Sequence, residues 1–211
     1  VQTLDRLDEL SGQEGDLIGL SSGFKAVDGI TQGLQDEDLI VVAGRPSMGK
    51  TSFAMNIAEN VAKSEDGCVA VFSLEMSSQS LTARMMASMA GISQQNVKGA
   101  NLTDRQWEKI VKQSAKLKEL DIYIDDTANI SPIEIRAKAR RLAKQYRDKG
   151  GLNLVVIDYI QLMQMPGRTE NRVNELSDIS RALKGLAKEV KAPVIVLSPV
   201  SYTHLTLPTS P

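Results

Sequence analysis

Cysteine and histidine are almost missing: the 211-residue chain has one of each, Cys68 and His204. A single cysteine excludes an internal disulfide and a cysteine-cluster zinc site. A single histidine excludes a multi-histidine metal centre and leaves little basis for a His-dependent nucleophilic triad. An excess of either charge is also missing, with 25 Lys and Arg against 26 Asp and Glu and a net charge of −1. No global basic field therefore advertises nucleic acid, and any such contact must come from a local patch. No apolar run approaches the ~18 residues that would cross a bilayer. Val1 is not an initiator methionine and no signal-peptide pattern follows it, so a fragment of a longer, cytoplasmic protein is expected. What is present, 42% hydrophobic and 24% charged residues, suits one soluble α/β domain with a real core. Cys68 lies in an apolar run and reads as a buried core thiol.

The most informative stretch is Leu39-Ile40-Val41-Val42-Ala43-Gly44-Arg45-Pro46-Ser47-Met48-Gly49-Lys50-Thr51. A β-like apolar run enters a glycine-rich turn of the form G-x-x-x-x-G-K-T, and an amphipathic run follows (Phe53, Ala54, Ile57, Ala58, Val61). This is the phosphate-binding P-loop pattern. Gly44 and Gly49 let the backbone bend and approach a polyphosphate. Across Gly44, Arg45, Pro46, Ser47, Met48 and Gly49, successive N–H groups (Pro46 has none) line an anion-binding nest at a helix N-terminus. Lys50 supplies a mobile positive charge for the β- and γ-phosphate oxygens, and Thr51 a hydroxyl for Mg²⁺.

Around this centre, strands alternate with helices. The pattern predicts a short helix near 24–30, a strand at 39–43, a helix at 50–63, a strand at 68–74 and a helix to about Ala90, whose methionines (Met85, Met86, Met89) read as core filler. Thr103 and Gln106 form a capping-box signature for a helix over 104–119, followed by a short strand at 122–124. Ser131-Pro132-Ile133-Glu134 opens a helix to about Lys149. That helix bears seven Lys and Arg from Arg136 to Lys149, which suit either a solvated face or a contact with a subunit or nucleic acid. A strand at 152–157, a helix at 171–190 and a strand at 193–197 complete the order. Several strands are continuous apolar runs, as expected when both faces are buried. The expected fold is α/β: a mostly parallel sheet with helices on both faces, binding its ligand beyond the carboxyl ends of the strands.

Two carboxylates fall at such strand ends. Asp158 follows Leu154–Ile157, the Walker B arrangement, and is expected to hold Mg²⁺ with Thr51. Glu75 ends the run from Cys68, where it suits a group that polarises water; capping the next helix or simple solvation are the other readings. The polar stretch Met165–Arg172 carries Arg168 and Arg172, which suit either nucleic-acid phosphates or an ordinary exposed loop.

Three segments, Gly44-Arg45-Pro46-Ser47-Met48-Gly49-Lys50-Thr51, Ser73-Leu74-Glu75-Met76-Ser77 and Val156-Ile157-Asp158-Tyr159-Ile160-Gln161-Leu162-Met163, together resemble the replicative DNA helicases of the DnaB type. Ser22-Gly23-Phe24, Gly33-Leu34 and the run Glu175–Lys184 are also similar to that family, and the likeness covers about residues 1–198. The resemblance implies a RecA-like motor domain using ATP and Mg²⁺, one of six in a homo-hexameric ring around single-stranded DNA, moving 5′ to 3′. It implies that Glu75 is the catalytic carboxylate, that Lys50 and Thr51 serve phosphate and Mg²⁺, that Asp158 serves the metal, and that Arg168 and Arg172 face the DNA channel. A helicase loader and a primase are the partners it implies.

The sequence departs from that pattern after its last strand. The family continues Ser-Gln-Leu, with a glutamine that senses the γ-phosphate; this chain reads Leu197-Ser198-Pro199-Val200. The family's second DNA loop and arginine finger lie in later segments that this sequence does not contain. Residues 199–211 carry no Asp, Glu, Lys or Arg and are expected to be foreign to the fold. The expected layout is the end of a linker at 1–19, a motor domain at 20–198 and an atypical tail at 199–211. These features predict Mg-ATP binding with little turnover by the chain alone. A RecA-like recombination or repair ATPase, and an ATP-binding fragment without productive turnover, are the alternatives.

Overall fold

Branched apolar runs stack side by side because each carries too little polar surface to face water. In a computed structural model, which describes residues 17–159, 161, 163 and 172–199, they form one parallel five-stranded sheet. The strands are β1 (Leu39–Gly44), β2 (Cys68–Ser73), β3 (Ile122–Asp125), β4 (Leu152–Asp158) and β5 (Val194–Pro199), in the order β1-β5-β4-β2-β3. The helices are α1 (Lys25–Thr31), α2 (Lys50–Ser64), α3 (Ser78–Ala90), α4 (Gln94–Lys98), α5 (Asp104–Glu119), α6 (Pro132–Gln145) and α7 (Arg172–Val190).

Alternation along each strand divides the core into two layers. Cys68, Ala70, Phe72, Val155, Ile157, Val194 and Val196 face α6 and α7, where Ile135, Leu142, Ile179, Leu183 and Leu186 complete the packing. Val69, Val71, Leu154, Val156, Ile195 and Leu197 face the other way, onto Ala54, Ile57, Val61, Leu81 and Met85 of α2 and α3. This is the expected α/β architecture with helices on both faces. Cys68 is buried as the sequence predicts, and burial pushes its thiol up to about 11, so it stays protonated and inert.

The central strands β2, β4 and β5 are buried on both faces for most of their length. The apolar run of β1 is not: Val41 is 59% exposed. Among the described residues β1 pairs only with β5, so it stands at a sheet edge. Residues 20–34 brace this side. Leu20 and Leu34 form an antiparallel bridge, and Asn60 of α2 donates to the Ser22 carbonyl (3.0 Å). Gly23 has φ +78°, and a Cβ there would lie 2.1 Å from the Asn60 amide, so no other residue fits. Buried Asp28 accepts from Ser21 Oγ, Ser22 N and Ser22 Oγ.

The predicted elements appear with small shifts. The helix expected to reach Lys149 stops at Gln145 and continues as a single 3₁₀ turn, Arg147–Lys149, before the left-handed Gly150. The last strand runs to Pro199, which stands opposite Gly44 of β1. Helix α4 was not predicted: it is one turn long, too short for its periodicity to register. The basic run on α6 is partly internal. Lys138 pairs with buried Asp125 at 2.5 Å, and Arg136 and Arg140 both reach Glu189 of α7. Those three charges tie layers together rather than forming only a solvated face. Leu4, Leu7 and Leu10, and the tail beyond Pro199, lie outside the described residues. No helix among the described residues is long and apolar enough to cross a membrane.

Candidate nucleotide-binding and hydrolysis site

All five strands point their carboxyl ends the same way, so the loops that follow them share one rim. A cavity of about 460 Å³ opens there. Its walls come from three places: the P-loop and the first turn of α2; the segment after β2 with α3 and α4; and the ends of β4 and β5.

The P-loop wall is built by backbone geometry. Ser47 (φ +64°) and Gly49 (φ +81°) adopt the left-handed region, turning the chain into α2. A Cβ on Gly49 would meet nothing within 4 Å, so glycine is required there for its conformation and not for space. Gly44 differs: its φ is ordinary, and the room beside it is occupied by the stem of Lys50. Gly49 caps α2 with no side-chain hydrogen bond, and no acidic residue stands in the first turn. The first N–H groups of α2 and the positive end of its dipole therefore remain available to an anion. Lys50 Nζ donates to the Gly44 and Arg45 carbonyls (2.8 and 2.9 Å), which holds the ammonium beside the loop.

The metal-ligand candidates meet as the sequence predicts. Thr51 Oγ1 donates to Asp158 Oδ2 at 2.8 Å, joining α2 to the end of β4. Asp158 is only 4% exposed. Burial raises its pKa and the nearby Glu75 raises it further, opposed by the Thr51 hydrogen bond, Arg84 and Lys50. A hydroxyl beside one buried carboxylate is a hard-oxygen pair that suits Mg²⁺, which keeps waters and takes phosphate oxygens for its remaining positions. It does not suit a fully protein-caged ion, and the described residues hold no group of three or more His, Cys, Asp or Glu side chains that could form one.

Glu75 lines the same cavity, two residues beyond the end of β2. Its position is set by a tight local turn. Ser73 Oγ donates to the Met76 carbonyl (2.7 Å) and accepts from Met76 N (3.1 Å), and Leu74 N donates to the Asp158 carbonyl (2.6 Å). The cap of α3 is Ser77, not Glu75, so the alternative role as a helix cap is excluded.

Sequence reasoning missed Arg84 of α3 and Gln94 of α4, which stand on the same wall as Glu75. Arg84 sits inside an ordinary helical pattern and Gln94 in an unrecognised helix, so neither carried a signal. Gln161, in the segment after β4, donates through Nε2 to Ser198 Oγ at 2.7 Å and so links the ends of β4 and β5. Of the expected DNA contacts, Arg168 lies outside the described residues and Arg172 is the first residue of α7.

Residues 19–204 match the DnaB-like helicase C terminal domain family. The chain belongs to that family. It is 47% identical over 202 residues to the replicative DNA helicase DnaC of Bacillus subtilis (strain 168), and 48% identical to the replicative DNA helicase DnaB of Geobacillus stearothermophilus. Each match covers 95% of this chain and 44% of the relative, so this DnaB-like chain spans less than half the length of those curated relatives. Among solved structures it superposes on an isolated ATPase domain with a TM-score of 0.86, at 32% identity, over 95% of this chain and 70% of that one. It also superposes on a DnaB-like replicative helicase described with its interactions with primase, with a TM-score of 0.85 at 32% identity, over 94% and 47% of the two chains. The fold is therefore RecA-like α/β, and the recombination or repair ATPase considered from the sequence is set aside.

Proposed function

We propose that this chain is the ATP-driven motor domain of a replicative DNA helicase. The observation that carries this reading is the Thr51–Asp158 hydrogen bond at the mouth of the P-loop, with Glu75 on the facing wall of one cavity. The P-loop from Gly44 to Gly49, with Arg45, Pro46, Ser47 and Met48 between, cradles the triphosphate through backbone N–H groups. Lys50 leaves its two carbonyl partners for the β- and γ-phosphate oxygens. Thr51 and Asp158 would hold Mg²⁺, which when bound neutralises charge on those oxygens. Glu75 accepts the proton of the attacking water and so aligns it. Asp158 contributes as an anion, and its raised pKa makes metal binding weaken towards acid pH.

The domain layout read from the sequence is part of this proposal: a linker end at 1–19, the motor from 20 to 198, and a tail of separate origin after it. So are a homo-hexameric ring, single-stranded DNA in its channel near Arg168 and Arg172, 5′ to 3′ movement, and a loader and a primase as partners. The deciding experiment is ATP hydrolysis with and without single-stranded DNA, on this chain and on Glu75→Gln. DNA-stimulated turnover that the substitution lowers about 10²–10⁴-fold supports a working motor with Glu75 as base. Nucleotide binding without turnover supports an ATP-binding module whose hydrolysis needs further parts. Loss of nucleotide binding in the unsubstituted chain overturns the reading.

A further inference from the structure

Buried hydrogen-bond donors rarely go without acceptors, because an unpartnered one costs free energy. Among the described residues, Gln94 Nε2 and Arg84 Nε are buried and without a hydrogen-bond partner. Both residues line the nucleotide cavity on the wall that carries Glu75, facing the wall of Lys50 and Thr51. Their backbones are fixed. Ser78 N donates to Asp126 Oδ2 (2.7 Å) and sets the start of α3. Gly91 and Ile92 close α3 by donating to the carbonyls of Ser88 and Ala87, and Ser93 Oγ accepts from Asn96 N to start α4. Two donors are thus held against a cavity whose expected ligand is rich in acceptors.

We infer that Gln94 is a further catalytic residue of the hydrolysis site, donating through Nε2 to the terminal phosphate of a nucleoside triphosphate. This rests on the nucleotide-site reading above. Lys50 and the Thr51–Asp158 pair mark where the β- and γ-phosphates lie. Glu75 marks the water side of the γ-phosphate, and Gln94 shares its wall. A neutral amide suits this place. It donates to phosphate oxygens without adding a second permanent cation beside Arg84, and its carbonyl remains able to orient water, as glutamine does in other P-loop enzymes. Because the contact is to the γ-phosphate, a diphosphate cannot make it. Gln94 therefore contributes to discrimination between triphosphate and diphosphate.

The test is calorimetric titration of this chain with Mg²⁺ and either ADP or β,γ-imido-ATP, for the unsubstituted protein, Gln94→Ala and Gln94→Glu. The unsubstituted chain is expected to bind the imido analogue more tightly than ADP. Gln94→Ala is expected to weaken the analogue about tenfold while ADP stays within about twofold. Gln94→Glu keeps the shape, and its charge is favourable at the start of α4, but it is repelled by the γ-phosphate and is expected to weaken the analogue further. Thermal melting of both variants serves as the control for folding. Equal losses for the two nucleotides, or no loss, would overturn the inference and leave the functional reading intact. Failure of the unsubstituted chain to bind either nucleotide overturns both.

Discussion

Helix α2 begins differently from the four helices that follow it. Ser77, Ser93, Thr103 and Ser131 each accept a backbone N–H in the first turn of α3, α4, α5 and α6, and the last two form reciprocal capping boxes with Gln106 and Glu134. Helix α2 has only Gly49. Helix α1 also lacks a capping side chain, but it is two turns long and its neighbourhood is tied by Asp28. A cap contributes about 1 kcal/mol, so the most buried helix of its layer forgoes a stabilisation that its neighbours all have. Sequence selection has left those N–H groups for a ligand, while the rest of the scaffold satisfies its own.

That contrast between an open terminus and closed ones can be broken from either side. The largest effect is expected at the open end. Lys50→Ala should weaken Mg-ATP about 100-fold, close to 2.7 kcal/mol, with no matching fall in melting temperature, as read by calorimetry and thermal scanning. Next comes the scaffold at the far edge of the same rim. Asp125 is pushed up by burial, but hydrogen bonds from Lys138, Thr127 and Tyr123 outweigh that and hold it at about 2. Its folded pKa lies below its ordinary 3.8, so its contribution to stability is present above pH 4 and is lost as the pH falls towards 2. Asp125→Ala should cost about 2 kcal/mol at neutral pH and flatten the acid limb of a denaturation series.

Smaller effects sharpen the comparison. Ser131→Ala and Thr103→Ala should each cost about 1 kcal/mol in urea melts and leave nucleotide affinity unchanged. Asp158→Asn should do the reverse. Burial and Glu75 disfavour its charge, so the substitution, which keeps an acceptor for Thr51, should stabilise the ligand-free protein by about 0.5–1 kcal/mol. It should also remove the Mg²⁺ dependence of nucleotide binding. A loss of stability on Asp158→Asn would mean that the carboxylate is structural.

The same contrast explains what could be read from the sequence. Caps and turns act over three or four residues, so Thr103 with Gln106, and Ser131 with Glu134, announced α5 and α6 directly. The P-loop announced itself because phosphate binding needs Gly49, Lys50 and Thr51 in one unbroken stretch. Asp158 and Glu75 were legible only because each ends an apolar strand. The facing wall was not legible. Arg84 and Gln94 come to the cavity through the packing of α3 and the turn at Gly91, and nothing in their local sequence depends on that destination. Sheet order was hidden for the same reason: β5, last in the chain, lies between β1 and β4, which no local pattern encodes.

The Thr51–Asp158 hydrogen bond closes a span of 107 residues. Contacts of such separation carry a high loop-closure cost and form late unless intervening structure has already condensed. The two ligands attributed to one metal ion are thus strangers in the unfolded chain. Between them lie β2, β3 and five helices' worth of folding. An assay for tight Mg-nucleotide binding is then also an assay for completed folding. In a refolding experiment, recovery of that binding should trail recovery of helical signal from α5 and α6, whose capping boxes are satisfied locally.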